Sequence, residues 1–207
     1  MRWPWSDWRE SSARPDHDLP ADRPEVEPVH ETIDVEADRR PVWLLDVDGV
    51  LNASRPGWGR AAEGYAHAGG SRFGIRWSPE LVHRLVAIHR AGGVEFRWAT
   101  TWVPWIDEIE SLLGLPSWPV AWDGPYEGVG TPAVPTPLRK VQTALHVVEQ
   151  ERRPLIWTDD DAIPMHGSVH DRIMSADVPC LLVRPASRTG LQPHEIDAIE
   201  DFLRRYT

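Results

Sequence analysis

Pro41-Val-Trp-Leu-Leu-Asp-Val-Asp-Gly-Val-Leu-Asn52 decides how this chain is read. Val42 to Leu45 is an apolar run too short for a helix and suited to a buried strand. It ends in two carboxylates, Asp46 and Asp48, followed by Gly49, a residue able to turn sharply. In open parallel sheets, ligands bind beyond the carboxyl ends of the strands. A strand that delivers two acids there places charge at a crevice. In an extended strand residues i and i+2 share a face, so both acids can reach one group. Taken alone, Asp-x-Asp-Gly reads first as an ordinary turn after a strand, so the rest of the chain has to decide.

Leu155-Ile156-Trp157 is a second strand of this kind, and Thr158-Asp159-Asp160-Asp161 follows it. Three adjacent acids repel one another unless something positive sits among them. With Asp46 and Asp48 nearby the crowding is severe, and a hard, oxygen-liganded Mg²⁺ relieves it. Asp160 is assigned to the metal and Asp159 to the metal or its surroundings, while Asp161 is also a candidate cap for the next helix. Val94 to Ala99 reads as another strand, followed by Thr100, Thr101 and Trp102. A hydroxyl at that edge can donate to a phosphoryl oxygen without adding charge. Thr136-Pro137 opens a helix through about Glu149, with Leu138, Val141, Leu145 and Val148 as its apolar face. Lys140 sits in its first turn, against the preference of the helix dipole for cations at the other end. It is the one lysine among 22 lysines and arginines. An ammonium is a compact point charge, not interchangeable with a planar guanidinium at a tight site.

Asp-Val-Asp-Gly-Val-Leu-Asn resembles the first signature of the haloacid dehalogenase (HAD) superfamily of aspartate-nucleophile phosphatases. Thr100 or its neighbour Thr101, then Lys140, then the strand ending in Asp159-Asp160 resemble the other three signatures in the family's order. The resemblance covers roughly residues 41–206. It implies Asp46 as nucleophile, forming an aspartyl-phosphate, and Asp48 as the acid that protonates the leaving oxygen and then activates water. It implies Thr100 and Lys140 as further catalytic residues, with Thr101 and Gly49 near the substrate. The implied Mg²⁺ ligands are Asp46, Asp48, Asp160 and Asp159. Many members carry Asn after the threonine, whereas this chain has the Thr100-Thr101 pair, which leaves the choice between them open. An acid at position 48 implies a phosphatase or phosphotransferase branch. Two alternatives stay beside the Mg²⁺-dependent phosphatase: a HAD-scaffold binding module without catalysis, and a phosphatase that processes nucleic-acid ends.

The 207 residues suffice for one domain with a core plus a tail. Residues 1–40 are acidic, Pro-rich and aperiodic, with Trp3, Trp5 and Trp8 at the start, and read as a disordered tail. Residues 41–207 alternate strands and helices. That pattern predicts a doubly wound, Rossmann-like α/β fold: about five parallel strands with helices on both faces. Residues 53–77 hold six glycines and four arginines, among them Arg72 and Arg76. They read as a short loop or hairpin in place of a cap domain, a basic flap able to meet a phosphorylated substrate. Trp118 to Trp122 reads as a short strand, Asp123 to Pro137 as a Pro/Gly loop, and residues 162–179 as a loop.

The net charge of −10 speaks against a general nucleic-acid coating surface, and the flap arginines are the only hint of such a partner. No apolar run approaches the roughly 20 residues of a membrane span. One cysteine, Cys180, excludes an internal disulfide. Without a signal-peptide pattern the expected setting is cytoplasmic.

Overall fold

The computed structural model describes residues 38–122 and 136–206. Most of the expected tail, and the Pro/Gly loop expected after Trp122, lie outside the described residues. In chain order the strands are β1 (Val42–Leu45), β2 (Ala62–Ala68), β3 (Ser71–Trp77), β4 (Glu95–Trp98), β5 (Leu155–Thr158) and β6 (Cys180–Val183). The α-helices are α1 (Pro79–Ala91), α2 (Ile106–Leu113), α3 (Thr136–His146), α4 (Ser168–Met174) and α5 (Pro193–Tyr206).

Four strands form a parallel sheet in the order β4-β1-β5-β6. The central strand β1 is buried at all four positions, as a strand covered on both faces must be. Alternation splits its side chains between two cores. Trp43 and Leu45 pack with Leu85 of α1, Ile109 of α2 and Ile199 of α5. Val42 and Leu44 pack with Ala144 of α3 and Ile173 of α4. Helices therefore cover both faces, as the alternating pattern requires.

Register sets the site. Leu45 is aligned with Trp98 on one side and Thr158 on the other. The amide of Asp46 donates to the Thr158 carbonyl (3.1 Å), Ala99 to Leu45 (2.9 Å) and Asp159 to Val183 (3.2 Å). Three strands thus end level, and the residues after each emerge along one edge.

Two expectations need correction. The strand expected over residues 118–122 is a single bridge at Val120, held by Trp98 donating to Pro119 (2.9 Å) and Ala121 to Trp98 (2.9 Å). Pro116 and Pro119 have no amide hydrogen to continue a ladder. The regular parallel sheet among the described residues therefore has four strands rather than five. Residues 168–174, expected as loop, form the short helix α4. Its start at Gly167 has no side-chain cap, so the usual sequence signal is missing.

The Gly-rich stretch is an antiparallel hairpin, β2 paired with β3. Gly69 and Gly70 turn it at φ 55° and 79°, the left-handed pair that a two-residue hairpin turn needs. Residues 38–40 are not free tail. Arg40 donates to the Gly92 carbonyl (3.2 Å), and its own carbonyl accepts from Arg153 (2.9 Å).

Glu110 of α2 locks the outer strand. Its buried Oε1 accepts from the Trp98 indole (2.8 Å) and the Trp118 amide (2.8 Å). Glu110→Ala orphans both donors, at about 1–3 kcal/mol each. We expect a stability loss of about 2–4 kcal/mol by urea denaturation, and an unchanged midpoint would show that Glu110 holds nothing.

Candidate active site

Asp46 follows β1 directly and is 6% exposed. Its Oδ1 accepts from the Val47 amide (2.7 Å) and its Oδ2 from Lys140 Nζ (2.6 Å). Lys140 Nζ donates equally to Asp159 Oδ2 (2.7 Å). Asp159 is fully buried, and its other oxygen accepts the amides of Asp161 (2.9 Å) and Ala162 (2.6 Å). One ammonium from the opening of α3 therefore joins two strand ends. Burial alone would lower the Lys140 pKa, but the charges of Asp46 and Asp159 outweigh it and hold it above its usual value. For Asp46, burial pushes the carboxyl up to about 7. The Lys140 charge opposes that shift, the Asp159 charge adds to it, and a hydrogen bond with the Thr100 side chain again opposes it.

Asp160 completes the group. Asp46, Asp159 and Asp160 each offer an oxygen within 4.8 Å of the others. Gly49 makes room for it: a Cβ there would lie 2.2 Å from the Asp160 carboxyl carbon, and its φ of 71° is left-handed. With all three carboxylates ionised, one ammonium cannot balance them. This cradle of hard oxygens could hold a divalent cation.

Asp48 stands apart. It is exposed, and its Oδ1 accepts from Asn52 Nδ2 (2.7 Å) while its Oδ2 accepts from the Trp102 indole (2.9 Å). It is not one of the three clustered carboxylates. It lines instead a cleft of about 330 Å³ beside the hairpin, together with Thr101, Phe73, Trp102 and Trp105. Thr100 is fully buried and accepts from the Trp102 amide (3.3 Å). The threonines thus differ in place: Thr100 touches Asp46, and Thr101 faces the cleft.

The hairpin arginines are engaged elsewhere. Arg72 lies 3.4 Å over the Tyr65 ring, and Arg76 pairs with Glu63 and donates to the Ser54 carbonyl (2.9 Å). Alternation puts their side chains on the face opposite Phe73 and Ile75, which line the cleft. Asp161 projects into solvent and caps no helix, since α4 begins only at Ser168. Asn52, Trp102 and Arg184, which donates to the Asp160 carbonyl (2.7 Å), were not singled out from sequence. Asn52 and Trp102 each stand in or beside a motif, but only folding shows that they grip Asp48. Arg184 carries no sequence signal at all.

A parallel sheet whose level ends carry Asp46, Thr100 and Asp159-Asp160, with a lysine closing over them, defines a HAD-type domain. A family model described as "HAD domain in Swiss Army Knife RNA repair proteins" matches residues 42–196, and the chain belongs to that family. No curated protein and no solved structure matches the chain. Among the described residues no helix is long and apolar enough to cross a membrane.

Gly49→Ala forces Asp160 aside and strains the backbone by about 1–2 kcal/mol. Displacing a group around a metal site typically lowers affinity about 10–100-fold. Calorimetric titration with Mn²⁺ should show such a loss, and unchanged affinity would remove Asp160 from the ligand set. Lys140→Met leaves two buried carboxylates without their counter-ion. The Asp46 carboxyl, already raised by burial, then rises further above its unfolded value, so stability is retained at low pH and lost as pH rises. In chelator-containing buffer the variant should lose about 3–5 kcal/mol at pH 8 and clearly less at pH 5. Equal losses at both pH values would contradict the ion-pair reading.

Proposed function

We propose that this chain is a Mg²⁺-dependent phosphatase that removes a phosphoryl group from an RNA end by way of an aspartyl-phosphate. One observation carries the chemistry: Lys140 bridges Asp46 and Asp159 at the carboxyl edge of the sheet, beside Asp160. The RNA substrate is supported by the description of the family to which the chain belongs. The acidic net charge fits capture of a single end better than coating of a strand.

In the first half-reaction an Asp46 oxygen attacks phosphorus, the bond to the leaving oxygen breaks, and Asp48 gives that oxygen a proton. In the second, Asp48 takes a proton from water, the water oxygen bonds to phosphorus, and the bond to Asp46 breaks, releasing inorganic phosphate. Asp48 suits this role because the Trp102 indole and the Asn52 amide aim its carboxylate without burying it. Lys140 reduces the repulsion between the Asp46 carboxylate and an anionic phosphoryl group. Thr100 orients Asp46, and Thr101 is placed to meet a phosphoryl oxygen or the leaving group. Bound at Asp46, Asp159 and Asp160, Mg²⁺ would supply neutralising charge to the phosphoryl oxygens. Arg72 and Arg76 have no part in this scheme. A binding module without catalysis would have no need to keep this set of groups together.

Phosphate release should be measured on RNA oligonucleotides carrying a 3′- or a 5′-phosphate, with Mg²⁺ and with chelator. Release is expected with Mg²⁺ only, and Asp46→Asn should lower it at least about 1,000-fold, as loss of a nucleophile does. Equal residual rates in wild type and variant would sink the enzymatic reading.

A further inference from the structure

We infer that the cleft beside Asp48 is a leaving-group pocket that stacks one nucleobase of the substrate. The inference deepens the RNA-end reading and rests on it for the identity of the leaving group.

The argument starts from which acid faces the cleft. Asp46, which attacks phosphorus, is nearly buried under Lys140, whereas Asp48 lines the cleft wall. The group that protonates a leaving oxygen must touch it. Whatever leaves is therefore held on the Asp48 side. The walls there are aromatic. Phe73 comes from the inner face of the hairpin, and Trp102 and Trp105 come from the segment after β4. Phe73 and Trp102 meet edge to face at 5.6 Å and 84°. Phe73 is 46% and Trp105 36% exposed, so two large rings stand in water at the mouth.

Charge narrows the occupant. Among the described residues lining the cleft none is a lysine or an arginine, and Asp48 is there. A second phosphate would be repelled, whereas a neutral planar base would not. At about 330 Å³ the cleft lies at the small end of ligand pockets, which run from about 300 to 1,000 Å³. It suits one nucleoside rather than a duplex. Base-on-aromatic stacking tolerates every base, which suits an enzyme acting on ends of any sequence.

The two walls are tied to the chemistry. Asn52 donates to Asp48 through Nδ2, while its Oδ1 accepts the amide of Arg76 on the hairpin (2.9 Å). The Trp102 indole donates to the other Asp48 oxygen. A base seated between hairpin and Trp105 therefore meets walls that also aim the acid.

The test compares the full-length chain with Phe73→Ala and Trp105→Ala. Both positions are partly exposed, and Phe73→Tyr and Trp105→Phe serve as conservative controls. The kcat/KM for adenosine 3′- and 5′-monophosphates is divided by that for ribose 5-phosphate. Wild type should favour at least one nucleotide, the alanine variants should shrink that preference about 10-fold or more, and the conservative variants should keep it. The more strongly favoured nucleotide identifies which end is recognised. Calorimetry with adenosine alone reads the pocket without catalysis: binding should be measurable and weakened by both alanine changes. If adenosine binds in this way but no phosphate is released from any substrate, the pocket stands and the phosphatase reading falls. If phosphate is released with an unchanged preference ratio, or if O-phosphotyrosine is preferred to both nucleotides, the pocket assignment is overturned and the phosphatase reading survives.

Discussion

A buried ammonium between two buried carboxylates is the interaction around which this molecule is arranged. Lys140 and its partners Asp46 and Asp159 are all withdrawn from water, where each charge alone would be costly. They are tolerated together because the donor–acceptor distances, 2.6 and 2.7 Å, are those of charge-assisted bonds. That geometry demands two adjacent strands ending level and a helix opening over their edge. The parallel register of β1 with β5 meets the first demand, and the placement of α3 meets the second.

The two edges of the sheet handle charge differently. At the amino end, Arg97 forms a forked pair with Glu151 (2.6 and 2.9 Å) and also holds Glu95, while Arg153 donates to Glu95 (2.6 Å). Arg97 and Arg153, with Arg40 beside them, there answer Glu95, Glu151 and Asp38, and the carboxyls of Glu95 and Glu151 are held below their usual range by Arg97 and Arg153 despite partial burial. At the carboxyl end three clustered acids face one ammonium. The first arrangement is closed electrostatically and reads as structural. The second stays acidic at its centre, which suits a cation and, through it, an anionic substrate.

Two aspartates two positions apart are given unlike surroundings. Asp46 is buried and its carboxyl is raised; Asp48 is solvent-exposed and gripped by an indole and an amide. Such unlike surroundings fit the separate roles proposed above for the two acids. The physical cause is that β1 ends at Leu45 and the chain bends at Val47, so the shared face expected of i and i+2 gives way to two different neighbourhoods.

Much of this was legible in the linear chain. The apolar run before Asp46, the acids after Trp157 and the lone lysine in a helix's first turn are local signals. Strand and helix periodicities are local too, so the parallel α/β class and the acid-bearing strand ends followed, while the strand order came only with the fold. The failures were also physical: prolines cut residues 118–122 down to one bridge, and an uncapped start hid α4. The roles expected of Arg72 and Arg76 came from composition, which cannot say which face of a hairpin a side chain takes. Tertiary structure alone decided that Tyr65 and Glu63 would engage them. It alone turned Asp48 toward Trp102, 54 residues away in sequence, because only packing brings separate segments within hydrogen-bond range. Residue types and spacings determine which chemistry is available to this protein, and long-range packing decides which groups meet to perform it.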